Sequence, residues 1–388
     1  MPKNKAIIMA FKLIASLSAA TFCATKFINT ADDDPFWRTK AHVPLKSLPE
    51  SSGYLVFSGN SNRPLAREIA SSLGTHLGNV KVGRFADGEI NLQVFDHIRG
   101  RDVFLIQSTC PPVNEHLMEL LLMISTARRA SAKKITAVIP YYGYARQDRK
   151  MMSRVPISAA DVAKLLETVG VDRVIACDLH CGQIQGFFGP RVPVDNLESS
   201  IVALDHFKQL NLINPVIVSP DAGGVYRAKK FQSFMMSENC DPGLAMIIKQ
   251  RAGPNKIERM DLVGSVDGCD AIIIDDMIDT AGTLCQAAEV LKINGARRVF
   301  AFATHGLLSK DAMQKIEKSP LDEVVITNTI PLPGNKDTEI ADLVPKSNFK
   351  SEKVKQVSVA TLLAEAIRRA YQKESFSQLF YPKNFKGE

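Results

Sequence analysis

No C-x-x-C pair occurs among the seven cysteines, and none stands in a metal-like cluster with histidine. A zinc ribbon or disulfide-stapled scaffold is therefore excluded, and the thiols read as reduced, small core residues. The pattern G-x-x-x-x-G-K-[ST] is also missing, which excludes a P-loop grip on nucleotide phosphates. No acid precedes Asp32, and the apolar stretch 13–25 lies between Lys12 and Lys26. That stretch falls short of the about 20 residues a membrane helix needs. It becomes long enough only if 6–28 is counted with both lysines snorkelling. Residues 1–30 thus have the form of a targeting segment, with a secretory-type signal, an organellar presequence and a membrane anchor all open. Membrane association is expected only in the last case, and unpaired cysteines favour the cytoplasm or an organelle over an oxidising lumen. A strong charge excess is lacking too. The balance of 48 basic against 41 acidic residues gives +7, spread along the chain, which suits small anionic substrates and leaves no nucleic-acid footprint.

What is present points to an ordered α/β protein. The 388 residues, 45% hydrophobic and 23% charged, suffice for two domains with full cores. Residues 30–52, with acids at 32–34 and prolines at 35, 44 and 49, read as a linker. Beyond them strands are expected at 54–57, 103–107, 135–140, 173–177, 216–219, 244–248, 271–275, 299–303 and 323–327. Helices are expected at 64–77, 114–130, 158–169, 196–210, 223–236 and 358–370. Such alternation implies βαβ units and parallel sheets flanked by helices. The natural partition is an extension over 1–50, two similar α/β halves over 51–200 and 201–380, and a tail over 381–388.

The most informative stretch is 271–283, Ala-Ile-Ile-Ile-Asp-Asp-Met-Ile-Asp-Thr-Ala-Gly-Thr. Its apolar start reads as a central strand. From Leu284 the pattern turns helical, so the turn at Thr280, Ala281, Gly282 and Thr283 would aim backbone N–H groups and a positive helix end at one point. An anion belongs there. Asp275 and Asp276 suit the vicinal hydroxyls of a sugar or a divalent cation. A phosphate grip beside a diol grip describes a phosphorylated pentose.

Ligands of open α/β sheets sit beyond the carboxyl ends of strands, and four further strand ends carry chemistry. Arg146, Arg149, Lys150 and Arg154 form a basic loop beside tyrosines, suited to polyphosphate or a base. Asp178 and His180 are placed to share a hydrated divalent ion. Asp221, before two glycines, can meet a sugar or a metal, or cap the next helix. Lys249 and Arg251, on a loop before glycine and proline, can close over a reaction centre and stabilise charge on transferring phosphates.

The pattern Asp-Asp-x-x-Asp-Thr-x-Gly-Thr of Asp275, Asp276, Asp279, Thr280, Gly282 and Thr283 resembles the phosphoribosyl-pyrophosphate motif of the type I phosphoribosyltransferase superfamily. Further motifs occur in order: Phe85-Ala-Asp-Gly-Glu, Tyr144-Ala-Arg-Gln-Asp-Arg, Asp178-Leu-His, Gln183-Ile-Gln-Gly-Phe-Phe, Pro193-Val-Asp-Asn-Leu, Ser219-Pro-Asp-Ala-Gly-Gly and Asn328-Thr-Ile-Pro. Together they resemble the ribose-phosphate pyrophosphokinase family over about 57–380. The resemblance implies two phosphoribosyltransferase-like domains and transfer of diphosphate from magnesium-bound ATP to ribose 5-phosphate. It implies that Phe85, Asp87, Gly88, Glu89, Arg146 and Gln147 hold ATP. Ribose 5-phosphate falls to Asp275, Asp276, Asp279, Thr280, Ala281, Gly282, Thr283 and Arg251. Lys249 and Arg251 are the implied catalytic cations, and His180, Asp221 and Asp178 the implied Mg2+ contacts. A homo-oligomer, commonly a hexamer, is implied, with the Phe85 turn serving a neighbour, and inorganic phosphate is a candidate activator.

Gly189-Pro190-Arg191 replaces a shorter link that often carries an acid, which argues against a second metal site there. Ala281 stands where the family usually has glycine or cysteine, which fits if its φ is negative. Two other readings are a catalytically silent relative assembling with active subunits, and an ordinary phosphoribosyltransferase. The first should lose the acid pair or the loop cations, which are kept, and the second lacks the Phe85 and Arg146 segments.

Overall fold

The computed structural model describes residues 53–236, 240–250, 259–332 and 351–379, all within one compact unit. The targeting expectation for 1–30 lies outside them. Among the described residues no helix is long and apolar enough to cross a membrane.

The first sheet opens with β1 (Tyr54–Ser58), followed by α1 (Arg63–Ser72). Asn62 caps this helix by accepting from Leu65 N, and a proline occupies its first turn. The helix ends short of the expected 77 because Gly74, at φ 68°, turns the chain left-handed. Next come β2 (Val80–Arg84) and β3 (Ile90–Val94), an antiparallel hairpin separate from the main sheets. Then follow β4 (Asp102–Ile106), α2 (Val113–Arg129), β5 (Lys134–Ile139), α3 (Ser158–Thr168), β6 (Arg173–Cys177) and β7 (Val194–Leu197). The order is β1-β4-β5-β6-β7, parallel throughout. Its strands are apolar on both faces because helices cover both: Leu105, Ile135 and Val174 pack with Leu120 and Ile124 of α2.

The expected helix over 196–210 is a correction. Its first part is β7, which pairs with β6 from Val174 opposite Val194. A 3-10 turn at Ser199–Ala203 and the short α4 (Leu204–Gln209) follow. Sheet pairing outweighs the local helical pattern.

The second sheet contains β8 (Val216–Ser219), β9 (Gly243–Gln250), β10 (Arg259–Val263), β11 (Asp270–Ile278), β12 (Arg298–Gly306), β13 (Glu323–Thr327) and β14 (Val354–Val357). Their order is β10-β9-β8-β11-β12-β13-β14, with β10 alone antiparallel to its neighbour. Helices α5 (Val225–Met235), α6 (Gly282–Ile293), α7 (Ala312–Lys318) and α8 (Ala360–Gln372) complete it. The hairpin strands, β10, β14 and α7 have no counterpart in the sequence reading. Moreover, β11 does not stop at its acids, since Met277 and Ile278 still pair with His305 and Gly306 of the equally long β12.

Polar bonds join the carboxyl ends of the two sheets. Asn62 Nδ2 donates to Asn328 O at 2.7 Å, and Ser108 Oγ to Thr329 O at 2.6 Å. Thr304 Oγ1 donates to Asp178 Oδ2 at 2.7 Å. At the other side α8 returns to pack on α1, and Gly53 N donates to Tyr371 Oη at 3.1 Å.

Candidate functional site

A cavity of about 1120 Å3 opens where the two sheets' carboxyl ends meet. It gathers Arg146, Asp178, His180, Asp221, Asp275 and Asp276, together with the whole turn 279–283. Residues as far apart in the chain as Arg146 and Thr283 thus converge because parallel strands deliver their ends to one side.

The acid pair is unequal. Asp276 is 5% exposed at its side chain and Asp275 33%. Oδ2 of Asp276 meets His180 Nδ1 at 2.7 Å, and its Oδ1 lies 3.5 Å from Arg227 Nη1. Arg227 is also 3.6 Å from Asp275 Oδ1, which accepts from Asp276 N at 2.8 Å. Burial opposes the charge of Asp276, but the His180 bond and Arg227 outweigh it and hold this carboxyl low. Burial, then the neighbouring Asp276 charge, push Asp275 up.

Asp178 is turned to structural duty. Its backbone takes φ 37°, and Oδ2 accepts from Ser199 N at 2.9 Å as well as from Thr304. Burial, with Glu198 nearby, pushes it up to about 7. Asp221 Oδ1 accepts from Gly224 N at 2.9 Å, so one carboxylate oxygen fastens the turn before α5, whose N-cap is Gly224 rather than Asp221. No group of three or more histidine, cysteine, aspartate or glutamate side chains suited to a metal occurs among the described residues.

Phe85, Asp87, Gly88 and Glu89 sit at the tip of the β2–β3 hairpin, away from this cavity's lining. Phe85 N donates to Glu89 O, Gly88 at φ 93° closes the turn, and the phenylalanine ring is 54% exposed. Gln147 accepts from Ser158 Oγ at the start of α3. Lys249 is in β9, opposite Met260 and directly after the cavity-lining Ile248. Arg251 lies outside the described residues.

Ala281 requires a correction. Its φ is 58°, not negative, and it immediately precedes α6. A left-handed residue there is what swings the chain from β11 into the helix within a few residues. At Gly282 an added Cβ would meet no atom within 4 Å, so the helix end opens onto the cavity.

Residues 54–170 match the N-terminal domain of ribose phosphate pyrophosphokinase, and residues 227–381 match the phosphoribosyl synthetase-associated domain. The chain is 50% identical over 328 residues to the ribose-phosphate pyrophosphokinase of Wolinella succinogenes, covering 84% of this chain and 99% of that one. The chain belongs to the ribose-phosphate pyrophosphokinase family. A relative from Shewanella oneidensis is 51% identical over 326 residues, covering 84% of this chain and 98% of the relative. The crystal structure of phosphoribosylpyrophosphate synthetase from Mycobacterium smegmatis matches with a TM-score of 0.73 and 37% identity, over 82% of this chain and 99% of that one.

Within this pyrophosphokinase-family site, sequence reading missed Arg227. The signal lies in the helical spacing of the basic residues early in α5: Arg227 and Lys230 share a face. Arg227 faces the acid pair, while Lys230 meets Glu198 at 2.8 Å inside the cavity wall.

Proposed function

We propose that the chain transfers the diphosphoryl group of ATP to the anomeric hydroxyl of ribose 5-phosphate, yielding phosphoribosyl pyrophosphate and AMP. The hydroxyl oxygen bonds to the β-phosphorus, the bond from that phosphorus to the α-phosphate's bridging oxygen breaks, and AMP leaves. The hydroxyl proton passes to water. The observation that carries this reading is the acid pair of β11 beside the exposed start of α6, facing Arg146 across one cavity.

Asp275 would hold the ribose hydroxyls, with Asp276 bracing it, and backbone N–H groups over 280–283 would cradle the 5-phosphate. Arg146 and Gln147 would contact ATP, and Phe85, Asp87, Gly88 and Glu89 would bind its adenosine in a neighbouring subunit of a homo-oligomer. An exposed Phe85 remote from its own chain's cavity supports that arrangement. Lys249 and Arg251 would neutralise charge on the moving diphosphate.

Magnesium fits the donor set. This ion retains waters and relies on one or two carboxylates plus substrate phosphates, and the cavity offers Asp221 with His180 on the same wall, while the implied contact through Asp178 is disfavoured because its carboxylate is engaged by Ser199 N and Thr304. When bound it would neutralise phosphate charge. The two domains would span 51–200 and 201–380, and the enzyme would work in the cytoplasm, or in an organelle should residues 1–30 act as a presequence.

The test is AMP production by the purified chain. ATP should yield AMP only when ribose 5-phosphate is added. No AMP from a folded chain supplied with both substrates and magnesium would sink the proposal and favour the silent-relative reading.

A further inference from the structure

Arg146 and Asp279 are 133 residues apart and follow strands of different sheets, yet Arg146 Nη1 donates to Asp279 Oδ2 at 2.7 Å. Asp279 is fixed from its other side as well. Ser309 N donates to its carbonyl at 2.9 Å, and the Ser309 side chain and Lys310 add to Arg146 in favouring its charged carboxylate. Both residues line the cavity.

A carboxylate is a poor ligand for a phosphate dianion, because like charges at contact distance repel. The N–H groups of the adjoining helix start are suited to that phosphate instead. Asp279 therefore needs another reason to stand at the mouth of the turn, and its partner supplies one. A guanidinium has five donors in a rigid fork. With one nitrogen anchored on Asp279, the plane of the fork is set and its other donors remain for an anion in the cavity. Arg146 is 53% exposed at its side chain, so little else on its own loop restricts a long, flexible side chain.

We propose that Asp279 is a positioning residue for the nucleotide substrate: it orients Arg146 toward the diphosphate of ATP, while the sugar phosphate is held by the backbone of the same turn. The inference rests on the reading of the site given under Proposed function and assigns the two halves of one motif to different substrates. Because the pair spans the two sheets, it also ties the nucleotide loop to the sugar-phosphate turn.

The experiment is calorimetric titration of the full chain, with magnesium, using a non-hydrolysable ATP analogue and, separately, ribose 5-phosphate. Asp279→Asn should weaken the analogue about tenfold, the factor matching one lost charge-assisted hydrogen bond. Affinity for ribose 5-phosphate should stay level or improve. The double variant with Arg146→Ala should bind the analogue no more weakly than Arg146→Ala alone, as one shared interaction requires. Arg146→Lys, which keeps charge but loses the fork, should fall between wild type and Arg146→Ala. Because its site is half exposed, this variant keeps the test valid should the aspartate variant fold poorly.

Loss of ribose 5-phosphate affinity with the analogue unaffected would overturn the proposal, as would additive losses in the double variant. Failure of the underlying reading is a separate result, namely a wild-type chain that makes no AMP when ribose 5-phosphate is added.

Discussion

Two carboxylates side by side at a buried strand end cannot both keep full charge without help. Here the help comes from a guanidinium beneath them and an imidazole beside them. Arg227, 19% exposed at its side chain, also feels the charges of Asp178 and Glu198, although Glu198 has Lys230 as its own partner at 2.8 Å. Arg227→Met keeps the volume and removes the charge. It should lower stability by about 3 kcal/mol, as expected when one partner of a buried ion pair is removed, and weaken ribose 5-phosphate binding. Urea unfolding and a binding titration check both, and an unchanged midpoint would contradict the brace. The role proposed for Lys249 concerns a different quantity. Loss of a transition-state cation costs about 2.7–4 kcal/mol by analogy with an oxyanion donor. Lys249→Ala should therefore cut turnover at least about a hundredfold with ATP binding nearly intact. Near-normal AMP formation by the variant would remove Lys249 from that role.

At the scale of the element, the strand, turn and helix over 270–293 were legible because local signals agreed: an apolar run, paired acids, small hydroxyl residues, then helical spacing. The left-handed Ala281 was not legible. An alanine gives no hint that its neighbours force φ to 58°, which ordinarily costs about 1–2 kcal/mol. Ala281→Gly relieves that strain but enlarges the unfolded chain's freedom by about 0.4–1 kcal/mol. The net change in stability should stay within about 1 kcal/mol. Ala281→Val, branched at Cβ, should lose more than about 2 kcal/mol and raise KM for ribose 5-phosphate. Denaturant unfolding with steady-state kinetics tests the contrast, and a fully stable valine variant would count against a strained turn. The missed strands β7, β10 and β14 lie toward sheet margins, where four or five residues carry too little pattern to outweigh their surroundings.

For the whole molecule, the decisive feature is the polar seam between sheets. His305 is buried in it: Nε2 donates to Asp178 O at 3.2 Å, and Nδ1 lies 2.9 Å from Thr329 Oγ1. Burial pushes its pKa down from 6.5 to about 4. The unfolded chain takes up the proton first, so this contribution is complete above about 6.5 and disappears as pH falls toward 4. The loss is of order 3 kcal/mol. Melting temperature should drop across that window in the native chain and less in His305→Asn, and parallel curves would refute the assignment. By itself the sequence determined the alternation of strands and helices, the strand, turn and helix over 271–293 and the residue types of the cavity, because each rests on neighbours within a dozen positions. Only the tertiary structure decided which acid is braced, that Asp178 faces inward, and that Arg146 reaches Asp279. Those are contacts between segments about a hundred residues apart, set by how the strand ends of two sheets converge rather than by any local preference.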